Sequence, residues 1–142
     1  MELIDKMIEE NLQYRLAHIG IRVINLEESM NWYETNFGFK RGEVRDKPQL
    51  GLRLAAMRLG DSELELLCPY AASEEKLMER KNLPELLRTI GINHIAISVN
   101  DVNKSYNALR NNNIALITEL IDSRVFFCMD SANNILIEVR QG

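Results

Sequence analysis

The 142-residue chain is 46% hydrophobic and 27% charged, with 7 Gly, 3 Pro, two His and two Cys, which describes one compact domain and excludes fibrous, disordered and disulfide-stapled classes. A chain of this length buries roughly two-thirds of its unfolded surface and needs no structural metal or disulfide, so any metal is expected to be functional. A formal net charge of −4 without a Lys/Arg block excludes a nucleic-acid backbone as partner, and no apolar run approaches the ~18 residues of a membrane span.

The opening MELIDKMIEE is acidic and amphipathic, without the basic n-region and apolar h-region of a secretory leader. Two cysteines with no Cys-x-x-Cys pair fit a reducing compartment, so a cytoplasmic protein is expected. Leu3, Ile4, Met7, Ile8 and Leu12 share one side at helical spacing, which predicts a helix over 1–14, an arm (1–15) outside the main body. Residues 16–24 alternate: Ile19, Ile21 and Val23 face one way and His18, Gly20 and Arg22 the other, as in a strand with one special face. Asn25 is expected to cap a helix carrying Leu26, Met30, Tyr33 and Phe37 that Gly38 ends. Strands over 39–44 and 50–59, separated by Pro48, lead through a Gly60-Asp61 hairpin turn into a strand over 63–68. Residues 69–91 read as a polar linker with one or two helices.

The first pattern then returns. A strand over 92–99, a helix capped by Asn100 or Asp101 and ended by Asn111-Asn112-Asn113, strands over 114–120 and 124–129, a turn at 131–134 and a last strand over 135–140 complete a second βαβββ unit. Module one is 16–68 and module two 92–142. His-Ile-Gly-Ile-Arg-Val at 18–23 overlays His-Ile-Ala-Ile-Ser-Val at 94–99, and Leu-Glu-Leu at 64–66 overlays Ile-Glu-Val at 137–139. A randomly placed second histidine would land on the repeat position of the first with a chance on the order of one in a hundred.

Glu65 and Glu138 stand in otherwise apolar strands, where an unpaired charge is costly to bury. If the halves pack about a pseudo-twofold axis, His18, Glu65, His94 and Glu138 converge into a His₂Glu₂ set suited to one divalent ion per site, Zn²⁺, Ni²⁺, Co²⁺, Mn²⁺ or Fe²⁺. The competing structural reading pairs the glutamates with Arg22 or Arg140 in ordinary ion pairs. Arg22, on the face of His18, is a candidate to hold an anionic substrate group. Cys68 and Cys128 read as small packing residues.

The strand HIGIRV leading into LEESMNWYETNFGF, the strand LELLCP, the second HIAISV and the closing ILIEV resemble the vicinal oxygen chelate superfamily, the glyoxalase/bleomycin-resistance/dioxygenase group, over residues 16–140. The resemblance implies an α+β fold of two βαβββ modules forming a curved mixed sheet around a metal site, commonly in a homodimer. Within the group, glyoxalase I (lactoylglutathione lyase) places its four ligands where this chain has His18, Glu65, His94 and Glu138, and an arginine coincides with Arg22. Its usual asparagine four residues after the second ligand is Pro69 here. Methylmalonyl-CoA epimerase is the neighbouring branch, and Leu54 stands where that branch has a catalytic glutamate. The implied function is a metal-dependent lyase or isomerase that converts a 2-oxoaldehyde–thiol hemithioacetal through an enediolate, with Glu138 as base and Glu65 as ligand or second base. The alternatives are an epimerase-like enzyme and a non-catalytic module that binds a small molecule.

Overall fold

The computed structural model describes residues 12–71, 82–88 and 90–142. The elements in chain order are β1 (Ile19–Arg22), α1 (Leu26–Phe37), β2 (Lys40–Lys47), a 3₁₀ turn (Pro48–Leu50), β3 (Leu52–Leu59) and β4 (Ser62–Pro69). They continue with α2 (Leu83–Leu87), β5 (Ile95–Val99), α3 (Val102–Asn111), β6 (Ala115–Leu116), β7 (Val125–Asp130) and β8 (Ile135–Gln141). Two four-stranded mixed sheets result, ordered β1-β4-β3-β2 and β5-β8-β7-β6, so the expected βαβββ unit occurs twice with the same strand order. The architecture is α+β, as the repeat requires.

Local chemistry accounts for the helix ends. The Asn25 side chain accepts from the Glu28 backbone N–H at 3.0 Å, satisfying one of the donors that a helix start leaves unpaired. Gly38, with φ of 74°, donates back to Glu34, a conformation open to glycine without a Cβ clash. In α3 the cap is Asp101, which accepts from Lys104 at 3.1 Å, deciding between the two expected candidates. Leu26, Met30 and Tyr33 of α1 and Val102 and Leu109 of α3 are buried in one core with Ile21, Leu66, Ile95, Phe126 and Val139, which therefore spans both modules.

Several expected boundaries move. The strand expected from residue 16 begins at Ile19, and the one expected from residue 92 begins at Ile95, because β1 and β5 are edge strands whose parallel ladders start at Leu64 and Ile137. Residues 12–18 carry no regular structure; the rest of the expected N-terminal helix, and linker residues 72–81 and 89, lie outside the described residues. The strand expected over 114–120 shrinks to two residues. Ile117 and Thr118 N–H both donate to the Phe127 carbonyl, at 2.8 and 3.2 Å, and this doubled bond breaks the ladder. Among the described residues no helix is long and apolar enough to cross a membrane.

A buried polar cluster ties the modules together. The Tyr33 hydroxyl donates to Asp130 Oδ2 at 2.9 Å, and Asn133 Nδ2 donates to the same oxygen at 2.8 Å and to Ser29 Oγ at 3.0 Å. Asn133 Oδ1 in turn accepts from the Ile24 backbone N–H at 2.9 Å. Helix α1 of module one is thereby fastened to the β7–β8 hairpin of module two by side chains that are all buried. A polar cluster of this kind is tolerated in a core because its members satisfy one another.

Candidate metal centre

The two halves present their histidines and glutamates in the same register. In module one the parallel ladder sets Gly20 opposite Glu65, and in module two it sets Ala96 opposite Glu138. Each of those small residues lies two positions after a histidine, so imidazole and carboxylate share a face with nothing larger than a methyl group between them. The separations agree: His18 Nε2 is 3.7 Å from Glu65 Oε2, and His94 Nε2 is 3.9 Å from Glu138 Oε1. Both exceed a hydrogen-bond length. They lie within a few tenths of an ångström of the roughly 3.0–3.6 Å that separates two donors each ~2.1 Å from one divalent ion. Each pair thus offers one N and one O donor at a spacing that a divalent ion could bridge, and the donor chemistry fits the expected group.

Only the pairs are assembled. Among the described residues no group of three or more potential ligands lies close enough to hold an ion. His18 and His94 nevertheless line a common cavity of about 740 Å³ together with Glu63, Ala96 and Ser98. A smaller cavity of about 290 Å³ continues along β1 and β5 and is lined by Arg22, Asn93, His94 and Asn134. Arg22 is therefore exposed on the face of His18 and opens onto the space shared by the modules, as the alternation of β1 implies.

The surroundings of the two pairs differ. His18 sits between two carboxylates, its Nδ1 being 3.7 Å from Glu63 Oε2, and Glu63 is itself bound by Arg58 at 3.1 Å. His94 packs edge-on against Phe127, with ring centres 5.9 Å apart at 77°. Phe127 lies directly across the ladder from Glu138. Over that face lies α2, whose fully buried Leu86 packs on Phe127, Met129 and Leu136, with Leu83, Ile117 and Val125 around them. Besides His94, Glu138 has Arg140 at 3.7 Å, which is the ion pair the competing reading anticipates; with Arg140 mostly exposed it contributes little to stability. The first pair is consequently flanked by charged groups, whereas the second has Phe127 and Leu136 on its face beside Asn93 and Arg140.

Leu54 falls on the same face as Glu65, since Leu54 pairs with Leu67 across β3 and β4. The position to which the resemblance to epimerases assigns a carboxyl thus presents an aliphatic group on the face of Glu65. Cys68 donates to the Ile24 carbonyl at 3.5 Å and Cys128 is buried, in keeping with packing roles. Sequence reasoning missed Glu63, Phe127, Leu86 and Asn93. The last had a visible signal, because the residue before the histidine is Asn93 in module two and Ala17 in module one, a break in the repeat beside a candidate ligand.

Comparison with known proteins agrees with this architecture. Among curated proteins the chain is 28% identical over 133 residues to the mitochondrial methylmalonyl-CoA epimerase of Dictyostelium discoideum, covering 89% of this chain and 78% of that protein. It is 25% identical over 134 residues to the human protein of the same name, covering 89% and 73%. Among solved structures it is similar to the trypanothione-dependent glyoxalase I of Leishmania major, with a TM-score of 0.72, 24% identity and coverage of 91% and 87%. It is also similar to the fosfomycin resistance protein FosX of Listeria monocytogenes solved with Mn(II) and sulfate, with a TM-score of 0.66, 16% identity and coverage of 92% and 94%. The family model for the Glyoxalase/Bleomycin resistance protein/Dioxygenase superfamily matches residues 15–139. With a match across nearly its whole length and the paired βαβββ modules that carry it, the chain belongs to the Glyoxalase/Bleomycin resistance protein/Dioxygenase superfamily.

Proposed function

We propose that the protein is a metal-dependent lyase of the glyoxalase I type, which moves a proton between adjacent carbons of a 2-oxoaldehyde–thiol hemithioacetal. The observation that carries this reading is the equal register of His18 with Glu65 and of His94 with Glu138. These four side chains would hold one divalent ion per site, Ni²⁺, Zn²⁺, Co²⁺, Mn²⁺ or Fe²⁺, in a homodimer. Such an ion supplies Lewis-acid polarisation of the substrate carbonyl. Glu138 takes the proton next to the carbonyl and returns it to the neighbouring carbon; its carboxylate, 17% exposed, lies across the ladder from Phe127 with Arg140 3.7 Å away. Glu65 completes the ligand set and is the second candidate base. Arg22, exposed beside the His18 face, binds an anionic group of the thiol portion.

The epimerase reading has a specific observation in its favour, the curated relatives at 25–28% identity. Its weakness is chemical. Leu54, at the position where the resemblance to that branch places a catalytic glutamate, cannot exchange a proton, so a reaction that removes a proton from one face and returns it to the other lacks that acid–base group. Protein reconstituted with each of the five ions and assayed with methylglyoxal plus glutathione, trypanothione or another small thiol is expected to form the thioester, with methylmalonyl-CoA unchanged. Glu138→Gln is expected to lower turnover by roughly 10²–10⁴-fold, the usual contribution of a general base. Epimerisation of methylmalonyl-CoA with no activity on any hemithioacetal would replace the lyase reading by the epimerase one.

A further inference from the structure

We infer that Asn93 is a positioning residue that sets the tautomer of His94, and that helix α2 sets Asn93 in turn. The orientation of the Asn93 side chain is fixed by elimination. Its Nδ2 lies 2.7 Å from the Leu86 carbonyl oxygen. A carbonyl can only accept, so the amide NH₂ must face it. The amide oxygen then necessarily points the other way, where it lies 2.9 Å from His94 Nδ1. That oxygen is also only an acceptor, so His94 carries its proton on Nδ1. The remaining nitrogen, Nε2, is left with a lone pair on the side of Glu138 Oε1, the form a metal ligand requires.

Three rigid pieces thus determine one proton. Leu86 is fully buried among Phe127, Met129 and Leu136, so the last turn of α2 cannot slide without opening that cluster. Asn82 caps the start of the helix, its side chain accepting from Glu85 at 3.0 Å. The linker between the modules is in this way wired to a ligand of module two. Module one is built differently, because Ala17 occupies the matching position and His18 Nδ1 faces Glu63 instead. The two imidazoles therefore have different neighbours at Nδ1, a neutral amide held by a helix carbonyl in one case and a carboxylate 3.7 Å away, bound by Arg58, in the other.

The consequence for ion binding rests on the metal-dependent reading above, whereas the tautomer does not, and the test separates them. Long-range ¹⁵N–¹H correlation spectra of the metal-free, full-length chain at about pH 8, where an ordinary imidazole is neutral, are expected to show His94 protonated at Nδ1. Asn93→Ala is expected to release it into a mixture of both tautomers and to weaken Co²⁺ binding by roughly 10–100-fold, the usual effect of losing a partner behind a metal-bound imidazole. Asn93→Asp keeps an acceptor for the Nδ1 proton while losing the donor to Leu86. It is expected to restore the tautomer but speed amide exchange across 83–87. A His94 protonated at Nε2 in the unsubstituted protein, or a tautomer unmoved by Asn93→Ala, overturns the inference. The first of these needs no variant and stands even if Asn93→Ala fails to fold. Absence of Co²⁺ binding by the unsubstituted protein would remove the metal reading and leave the assignment of Asn93 to be decided by the spectra.

Discussion

Replacing His94 by alanine is expected to abolish the thermal stabilisation that Ni²⁺, Co²⁺ or Zn²⁺ confers on the chain. A ligand present at a hundredfold excess over its Kd stabilises the folded state by about 2.7 kcal/mol. For a domain of this size that raises Tm by roughly 8–10 °C. In the proposed centre His94 is one of the two donors from module two, and its side chain is 30% exposed, so its loss removes that donor without opening the core. The metal-free variant should melt within about 2 °C of the unsubstituted protein. Differential scanning fluorimetry with and without each ion reads both quantities. A full metal-induced shift in His94→Ala would show that the ion binds elsewhere.

The second large effect concerns the cluster that joins the modules. Asp130→Ala leaves the Tyr33 hydroxyl without its acceptor and strips Asn133 of one of two, all inside the core. Unsatisfied buried donors cost about 1–3 kcal/mol each, so a loss of roughly 2–4 kcal/mol is expected in urea unfolding, against about 1–2 for Tyr33→Phe. The same cluster imposes a pH dependence. Burial, then the neighbouring Asp130, pushes the Tyr33 phenol well above its ordinary range and the Cys128 thiol up to about 12 from 9.0. Both groups stay protonated in the folded chain while the unfolded chain ionises them from about pH 9 upward. Unfolding therefore releases protons, and stability is fully present below pH 9 and lost as pH rises toward 12. Tyr33→Phe should flatten part of that decline. A Tm that holds constant from about pH 8.5 to 11 would contradict the burial assigned to these two groups.

Several features are legible in the amino-acid sequence alone because they depend on short-range rules. Asn25 and Gly38 bracket a helix through their own side chain and backbone freedom, and both act as expected. The alternation in HIGIRV and HIAISV is a period of two, which a half-buried strand must show, and Ile21 and Val23 are buried while Arg22 is exposed. The repeat also aligned each glutamate with its histidine, and the ladders give both pairs the same register.

Long-range terms account for what stayed hidden. The strand at Ala115–Leu116 is ended by a doubled bond to Phe127, a residue of β7 that periodicity in 114–120 could not report. The polar composition of 69–91 gives no sign of which strand its helix covers, and Leu83 and Leu86 pack over Phe127, Met129 and Leu136 on the face that carries Glu138. Nor does composition distinguish Glu63, an exposed-strand carboxylate by pattern, from the group that flanks His18 and is held by Arg58. The second neighbours of the two histidines differ although the histidines repeat, and that asymmetry arises from packing rather than from the motif.

The proposed centre requires His18, Glu65, His94 and Glu138 to share one divalent ion, although the chain alone assembles them only as two pairs. A crystal structure of Ni²⁺- or Co²⁺-loaded protein, with anomalous difference maps collected at the metal edge, decides the matter. One strong peak per site is expected within about 2.0–2.2 Å of His18 Nε2, His94 Nε2 and an oxygen of each glutamate. Whether the donors come from one chain or from two is read from the same map. A peak bound by other side chains, or stoichiometric Ni²⁺ absent from all four, would contradict the shared centre.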